Sequence, residues 1–280
     1  MKKISRRSFL AAAGLTVAAL ALTACGGSAS TASSAAASSV AASSEAASTS
    51  AAAAELTTVE AGKLTMATNA TFPPYEMTTD AGTIEGIDVD TAQAIAEKLG
   101  LELQIDDMDF DAALLSVQQG KADIAMAGIT VTDERMAVMS FSDSYATGIQ
   151  SIIVPNDSDI ASPDDLAGKT IGTQRGTTGY IYCSDDFGDE NVVAYDDGLT
   201  AVQALNNGQV DAVVIDNAPA QEFVAANPGL KVLDTSYAEE DYAIGMAKGS
   251  ALEDAVNKAL EELKADGTLQ AIVDKYINAN

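Results

Sequence analysis

The chain has no histidine and no tryptophan, and only two cysteines, Cys25 and Cys183, among its 280 residues. Without histidine there is no Ser/His/Asp triad, no Cys/His pair and no His-ligated zinc site. Positive charge is scarce too: 15 Lys plus Arg stand against 41 Asp plus Glu, a formal net charge of −26. Such a surface repels nucleic acid and anionic membrane faces, which removes both as partners. Aromatic residues make up 5% of the chain, so each one placed in a loop carries weight. Neither GxxxxGK[ST] nor GxGxxG occurs, which disfavours a nucleotide phosphate, and no cofactor or metal is expected.

What is present begins with an address. Lys2, Lys3, Arg6 and Arg7 form a positive segment, Phe9 to Leu22 is apolar but short and Ala-rich, and Leu22, Thr23, Ala24 and Cys25 follow. The last four resemble a bacterial lipobox, which implies a signal peptide over 1–24 and lipidation of Cys25. SRRSFL (Ser5 to Leu10) also resembles the twin-arginine export motif. Removal of 1–24 leaves 11 basic against 41 acidic residues, a net charge of −30. With Cys25 lipidated, Cys183 has no partner and reads as a partly buried small apolar residue. From Gly26 to about Thr58 the composition collapses to Ala, Ser and Thr, which cannot bury a core. We expect a tether over 25–61, with a random-coil reach of ~30 Å, as the chain's only attachment to a membrane.

The 47% hydrophobic content suffices for one or two lobes with proper cores. Lys63 to Thr68 reads as a strand and NATFPPYE (Asn69 to Glu76) as a loop, since Pro73 and Pro74 oppose helix and strand interior. Phe72 and Tyr75 in that loop either cover a core edge or wall a ligand cleft. Thr91 to Leu99 is a helix stopped by Gly100, Leu101 to Ile105 a strand, and Asp107 to Phe110 a polar loop. Asp111 to Gln119 is a helix stopped by Gly120, and Ala122 to Ala127 a buried strand. That strand opens at Gly128 into Ile129, Thr130, Val131, Thr132, Asp133, Glu134 and Arg135. Only two arginines follow Cys25, Arg135 and Arg175; Arg135 either neutralises Asp133 and Glu134 or meets a ligand carboxylate. This alternation argues for parallel α/β construction, with loops at the carboxyl ends of strands gathered into a crevice.

A second unit mirrors the first. LLSVQQGKADIA (Leu114 to Ala125) and VQALNNGQVDAV (Val202 to Val213) match at a spacing of 88 residues, which suggests two lobes of similar construction. The second strand ends at Asp216, which either caps a helix starting near Pro219 or receives a buried cationic partner. Between the units, Gln174, Arg175, Gly176, Thr177, Thr178 and Gly179 precede a helix and leave backbone donors for an anion. Arg175 is either solvated or paired with Asp185 or Asp186.

The pieces ATNATFPPYE, GIDVDTAQAIAEKLG, MDFDAAL, GKADIAMAGITVTDER, FSDSY, DLAGKTIGTQRGTTG, GQVDAVVIDNAP and ALEELKADGTLQAIVDKY run in order through residues 67–276. Together they resemble the amino-acid-binding solute receptors of ABC importers, bacterial extracellular solute-binding protein family 3, of the periplasmic-binding-protein-like type 2 fold. The resemblance implies an α/β protein of two lobes joined by two hinge strands. Lobe one would be 62–144 plus 243–280, lobe two 150–237, and the hinges 145–149 and 238–242. Leu252 to Leu263 is an amphipathic helix suited to packing on lobe one.

By the same resemblance, Arg135 grips a ligand α-carboxylate, assisted by Gly128, Thr130, Thr177 and Thr178, and Asp216 receives the α-ammonium. Phe72 and Phe110 sandwich the side chain. Asn69 and Gln174 stand where relatives carry charged residues, and two amides favour a neutral or hydrogen-bonding side chain over a cationic one. The implied protein is a monomer that captures a polar amino acid and delivers it to an ABC permease without a chemical step. A ligand-sensing adaptor and an enzyme on the same scaffold, with Glu76 or Asp216 as acid or base, are the alternatives.

Overall fold

The structure, a computed structural model, describes residues 56–277; the expected signal peptide, Cys25 and most of the expected tether lie outside the described residues. In chain order the elements are β1 (Lys63–Thr68), β2 (Thr71–Phe72), β3 (Glu76–Thr78), β4 (Ile84–Glu85), α1 (Ile87–Leu99), β5 (Glu102–Asp107), α2 (Phe110–Gln118), β6 (Ile124–Ala125), α3 (Asp133–Val138) and β7 (Met139–Phe141). Then come β8 (Ala146–Pro155), β9 (Ile171–Gln174), α4 (Thr178–Phe187), β10 (Val192–Tyr195), α5 (Gly198–Asn206), β11 (Ala212–Asp216), α6 (Asn217–Ala226), β12 (Leu230–Val232), β13 (Ala238–Tyr242), β14 (Gly245–Ala247), α7 (Glu253–Ala265) and α8 (Thr268–Tyr276).

Two main sheets result. The first has the order β5-β1-β6-β14-β7, the second β10-β9-β11-β8-β12 with β13 also paired to β8. In both, three neighbouring strands from one edge inward are parallel: β5, β1 and β6 in one, β10, β9 and β11 in the other. Both faces of each sheet are covered, which explains the unbroken apolar runs. Met66, Ile124 and Met126 point to a cluster with Ile95 of α1 and Val256, Leu260 and Leu263 of α7, while Ala67, Ala125 and Ala127 face Ala113 and Val117 of α2. In the second sheet Val213 and Ile215 face α5 and α6, and Ala212 and Val214 face Cys183 of α4. Successive residues alternate between faces, as the strand period of two requires.

The chain passes between the sheets twice, and the two passages pair with each other. β13 runs antiparallel to the start of β8, from Ala238 opposite Gln150 to Tyr242 opposite Ala146.

The repeat at spacing 88 is physical. Gly120 and Gly208 both end their helices in the left-handed region, at φ 66° and 68°. Three residues later, Asp123 accepts the Thr65 N–H at 2.8 Å, at the head of β1, and Asp211 accepts the Thr170 N–H at 2.8 Å, just before β9. Asp123 also accepts the Val59 N–H at 2.8 Å, and Leu56 packs on the first sheet's core, so the fold reaches back into the stretch expected as tether.

Several local expectations are corrected. The stretch NATFPPYE is not a plain loop: β2 and β3 flank the Pro73-Pro74 pair, whose peptide is cis, and with β4 form a small antiparallel sheet. α1 starts at Ile87, four residues before Thr91, because Asp88 and Asp90 sit in its first turn, where the helix dipole favours acids. Gly86 at its head lies so close to the Tyr75 carbonyl that a Cβ would fall 2.1 Å from that oxygen. Arg175 meets Asp196 at 3.7 Å rather than Asp185 or Asp186, because β10 pairs beside β9 and brings the Tyr195 to Asp196 turn to it. Cys183 is buried and unpaired, and burial pushes its thiol up to about 12.

Candidate functional site

Loops at the carboxyl ends of β1, β5, β6, β9 and β11 converge on one narrow cleft between the two sheets. All ten residues singled out in the sequence line it: Asn69, Phe72, Phe110, Gly128, Thr130 and Arg135 from the first sheet's side, Gln174, Thr177, Thr178 and Asp216 from the second's. Ala127, Glu76, Gln150 and Tyr242 complete the wall.

Arg135 is placed by α3. The Thr132 hydroxyl caps that helix, accepting the Arg135 N–H at 3.2 Å, so the side chain leaves the first turn toward the cleft. Its guanidinium is buried, 5.4 Å from the Phe110 ring centroid. It donates to the Thr130 carbonyl at 2.8 Å and, across the cleft, to the Gly176 carbonyl at 3.1 Å. Two of its five N–H groups are thereby used. No carboxylate pairs with it among the described residues, which disposes of neutralisation by Asp133 or Glu134. Burial lowers its basicity, with Glu240 the chief opposing influence, but arginine remains charged.

Asp216 ends β11 and caps α6. One carboxylate oxygen accepts the Ala218 N–H at 3.0 Å and the other the Ile149 N–H at 2.7 Å, where β8 passes. The capping reading therefore holds, and the same carboxyl also faces the cleft. Burial pushes it up to about 6 despite those two donors.

The other residues knit the walls together. Thr177 caps α4, accepting the Tyr180 N–H at 3.3 Å, so the amino end of that helix points at the cleft. The Thr130 hydroxyl meets Thr178 at 3.3 Å across the cleft and donates to Glu240 of β13 at 3.0 Å. Gln150 also donates to that Glu240 oxygen, at 2.9 Å. Gln174 Nε2 donates to Asn69 Oδ1 at 2.8 Å, while Asn69 Nδ2 donates to the Met108 carbonyl at 3.0 Å. Gly128, at φ 55°, lies under the Phe72 ring, where a Cβ would come within 2.8 Å of it. Phe72 stacks on Tyr75 at 5.6 Å, and Tyr75 packs edge-on against Tyr242 at 5.5 Å. Phe72 is thus the cleft wall and Tyr75 the core beneath it.

Sequence reasoning missed Gln150, Tyr242 and Glu240, which arrive through the antiparallel pairing of β8 with β13, a contact spanning about ninety residues. It quoted Glu76 only as a general acid or base. Glu76 opens β3, is fully buried, and neither oxygen has a hydrogen-bond partner. Burial raises its pKa well above the carboxylate range, with Asp88 and Asp107 adding repulsion. Among the described residues no three His, Cys, Asp or Glu side chains are grouped to hold a metal, and no helix is long and apolar enough to cross a membrane. A guanidinium and a helix amino end on one part of the wall and carboxyls on another suit a small zwitterion.

Comparison with known proteins agrees with that chemistry. The sequence profile of the bacterial extracellular solute-binding proteins, family 3, matches residues 64–279. The L-cystine-binding protein TcyJ of Escherichia coli K12 is 32% identical over 225 residues, covering 79% of this chain and 85% of its own. The arginine-binding extracellular protein ArtP of Bacillus subtilis is 33% identical over 224 residues, covering 76% and 86%. The crystal structure of the arginine-, lysine-, histidine-binding protein ArtJ of Geobacillus stearothermophilus superposes with a TM-score of 0.75 at 34% identity, covering 78% of this chain and 96% of that one. With fold, cleft and sequence in agreement, the chain belongs to the bacterial extracellular solute-binding proteins, family 3, and has their two-lobed α/β architecture.

Proposed function

We propose that the protein captures a polar amino acid between its lobes and delivers it to an ABC permease. The observation that carries this is the pair Arg135 and Asp216, opposite charges presented to one cleft from the two lobes. Arg135 binds the α-carboxylate through its remaining N–H groups, in the two-pronged geometry a lysine ammonium cannot offer. Thr130, Gly128 and the Gly176 to Thr178 turn add hydroxyl and backbone contacts. Asp216 takes the α-ammonium, which favours the ionised carboxylate that burial disfavours. Phe72 and Phe110 flank the side chain, with Asn69 and Gln174 at its edge.

Lobe one comprises 62–144 and 243–280, lobe two 150–237, and the hinges are 145–149 and 238–242. Support for the hinges is the β8–β13 ladder, the place where both chain passages run side by side. The contacts Asn69 to Gln174, Thr130 to Thr178 and Arg135 to Gly176 join the lobes directly. A bridging ligand adds to them, the differential affinity that moves a population toward closure. Family and relatives are binding receptors, and the proposed cycle has no chemical step. Export, lipidation of Cys25, the tether and a monomeric receptor complete the reading.

Calorimetric titration of the mature chain with the twenty amino acids, with product analysis, tests it. Micromolar or tighter binding to one or a few of them, with the ligand recovered unchanged, is expected. Binding of none, or turnover of any, would overturn it. Cys25→Ser is expected to release the protein from the membrane fraction.

A further inference from the structure

We propose that Glu240 of β13 is a positioning residue that tunes the clamp: a buried counter-charge that steadies the Arg135 guanidinium without pairing with it, and that thereby weakens the grip on a ligand carboxylate. This rests on the amino-acid-receptor reading and adds to it a determinant of affinity outside the cleft wall.

Arg135 and Glu240 meet on the same residue. Arg135 donates to the Thr130 carbonyl at 2.8 Å, and the Thr130 hydroxyl donates to a Glu240 oxygen at 3.0 Å. That oxygen also accepts the Gln150 amide at 2.9 Å. Both charged residues are buried, at 9% and 6% exposure. Even so, no carboxylate stands within ion-pair distance of Arg135 among the described residues. A buried guanidinium with no negative charge nearby is costly, whereas direct pairing would spend the N–H groups a ligand needs. A carboxylate held one residue away avoids both.

Glu240 outweighs the other groups that face Arg135. Burial opposes the charge of Arg135, and Glu240 is foremost among the groups that favour it, ahead of Tyr182 of α4, Asp111 of α2 and Tyr242 of β13. Two of these are phenols, and burial followed by the Glu240 charge pushes the Tyr182 hydroxyl up to about 12. Asp111 is exposed, where water and salt screen it. On Asp216 the Glu240 charge is a minor influence beside burial and the hydrogen bonds that carboxyl accepts. Its field therefore bears chiefly on the carboxylate end of the clamp.

The charge also travels with Arg135. The Val131 N–H donates to the Asp241 carbonyl at 3.1 Å and the Ala243 N–H to the Ile129 carbonyl at 3.0 Å, on either side of a bridge between Thr130 and Tyr242. The end of β13 is thus stitched to the segment that leads into α3, and Glu240 keeps its place beside Arg135 as the lobes part. A ligand carboxylate that takes the free N–H groups of Arg135 enters the field of a fixed negative charge beyond Thr130. Glu240 stabilises the ligand-free clamp and repels what fills it, so affinity is lower than a neutral residue at 240 would give.

The test is calorimetry of the full mature chain with L-arginine, L-histidine and L-glutamine, each beside its decarboxylated analogue: agmatine, histamine and 4-aminobutanamide. The ratio of amino-acid to amine affinity isolates the carboxylate and cancels any pull of Glu240 on the ammonium. Glu240→Gln keeps an oxygen for Thr130 and Gln150, and it is expected to raise that ratio by about threefold or more while lowering the melting temperature of the ligand-free protein. Glu240→Ala, neutral but without the hydrogen bonds, is expected to raise the ratio too. Glu240→Asp keeps the charge and is expected to keep the parent ratio. A role confined to the shape of the hinge predicts the opposite order, with the isosteric Gln nearest the parent. A ratio at or below the parent's in a folded neutral variant would overturn the inference, as would Glu240→Asp rising as far as Glu240→Gln. If no amino acid binds the parent protein, the receptor reading fails with it.

Discussion

Replacing Asp216 by asparagine should change how the ligand-free protein responds to acid, in the direction opposite to an ordinary paired carboxylate. Burial raises the Asp216 carboxyl from the usual 3.8 to about 6. The native state therefore holds this proton more tightly than the unfolded chain does. A carboxyl of that kind contributes stability that is present at acid pH and lost as the pH rises through about 6. Asparagine does not titrate, so the stability of the parent relative to Asp216→Asn should increase on acidification. Linkage puts the increase at about 1.4 kcal/mol between about pH 7.5 and about pH 5, and about 2.4 kcal/mol by about pH 4.

At neutral pH two effects oppose each other in the variant. Relief of the buried charge is worth about 3 kcal/mol, from two pKa units at about 1.4 kcal/mol each. Against it, an amide offers one oxygen to two N–H groups, those of Ile149 and Ala218, and an orphaned buried donor costs about 1–3 kcal/mol. The variant should thus be close to the parent at about pH 7.5 and clearly weaker at about pH 4. Urea unfolding followed by far-ultraviolet circular dichroism reads this, since the chain has no tryptophan. Using the difference between the two proteins cancels the general effect of protonating the many surface acids. A gap that stays constant or narrows as the pH falls would refute the assignment of a raised carboxyl to Asp216.

Other outcomes follow from specific contacts. Gly176 lies at φ 74°, and a Cβ there would meet the Asp111 carboxylate of the facing lobe at 1.7 Å; Gly176→Ala should weaken amino-acid binding by tenfold or more by calorimetry while lowering ligand-free stability by only about 1 kcal/mol. Asp123 satisfies the Val59 and Thr65 N–H groups and is buried, whereas its repeat partner Asp211 satisfies Thr170 at an exposed position. Chemical unfolding should show Asp123→Ala costing about 2–4 kcal/mol and Asp211→Ala about 1 kcal/mol or less. Gly86→Ala, with its Cβ 2.1 Å from the Tyr75 carbonyl oxygen, should cost several kcal/mol, visible as a large fall in the melting temperature.

The site was legible because its residues lie where sequence periodicity breaks. Strands ending at Thr68, Ala125, Gln174 and Asp216 are followed within a few residues by Asn69, Gly128 and Thr130, Arg175 and Asn217, and in parallel α/β construction those breaks share one edge of the sheet. The spacing of 88 residues was equally readable, since Gly stop and Asp cap recur at Gly120, Asp123, Gly208 and Asp211. What depends on pairing between distant segments was not readable. Gln150 and Tyr242 reach the cleft, and Glu240 the Thr130 and Gln150 side chains that line it, only through the β8–β13 ladder, which no local pattern encodes. The hairpin around Pro73 and Pro74 escaped because proline opposes strand pairing in general, and here it forms the turn between two short strands. The burial of Glu76 came from its place opening β3 opposite Phe72 of β2, while its neighbours in sequence, Pro74, Tyr75 and Met77, look alike whether in a loop or a core.

The central claim is that Arg135 and Asp216 hold the two charges of one zwitterion. It is tested most directly by titrating the parent, Arg135→Ala and Asp216→Asn with a bound amino acid, with its decarboxylated analogue and with its deaminated analogue. Removing the ligand carboxylate should cost the parent about a hundredfold or more in affinity and Arg135→Ala little further, and removing the ammonium should behave in the same way toward Asp216→Asn. If the decarboxylated analogue loses as much against Arg135→Ala as against the parent, the carboxylate is held elsewhere and the clamp is wrong.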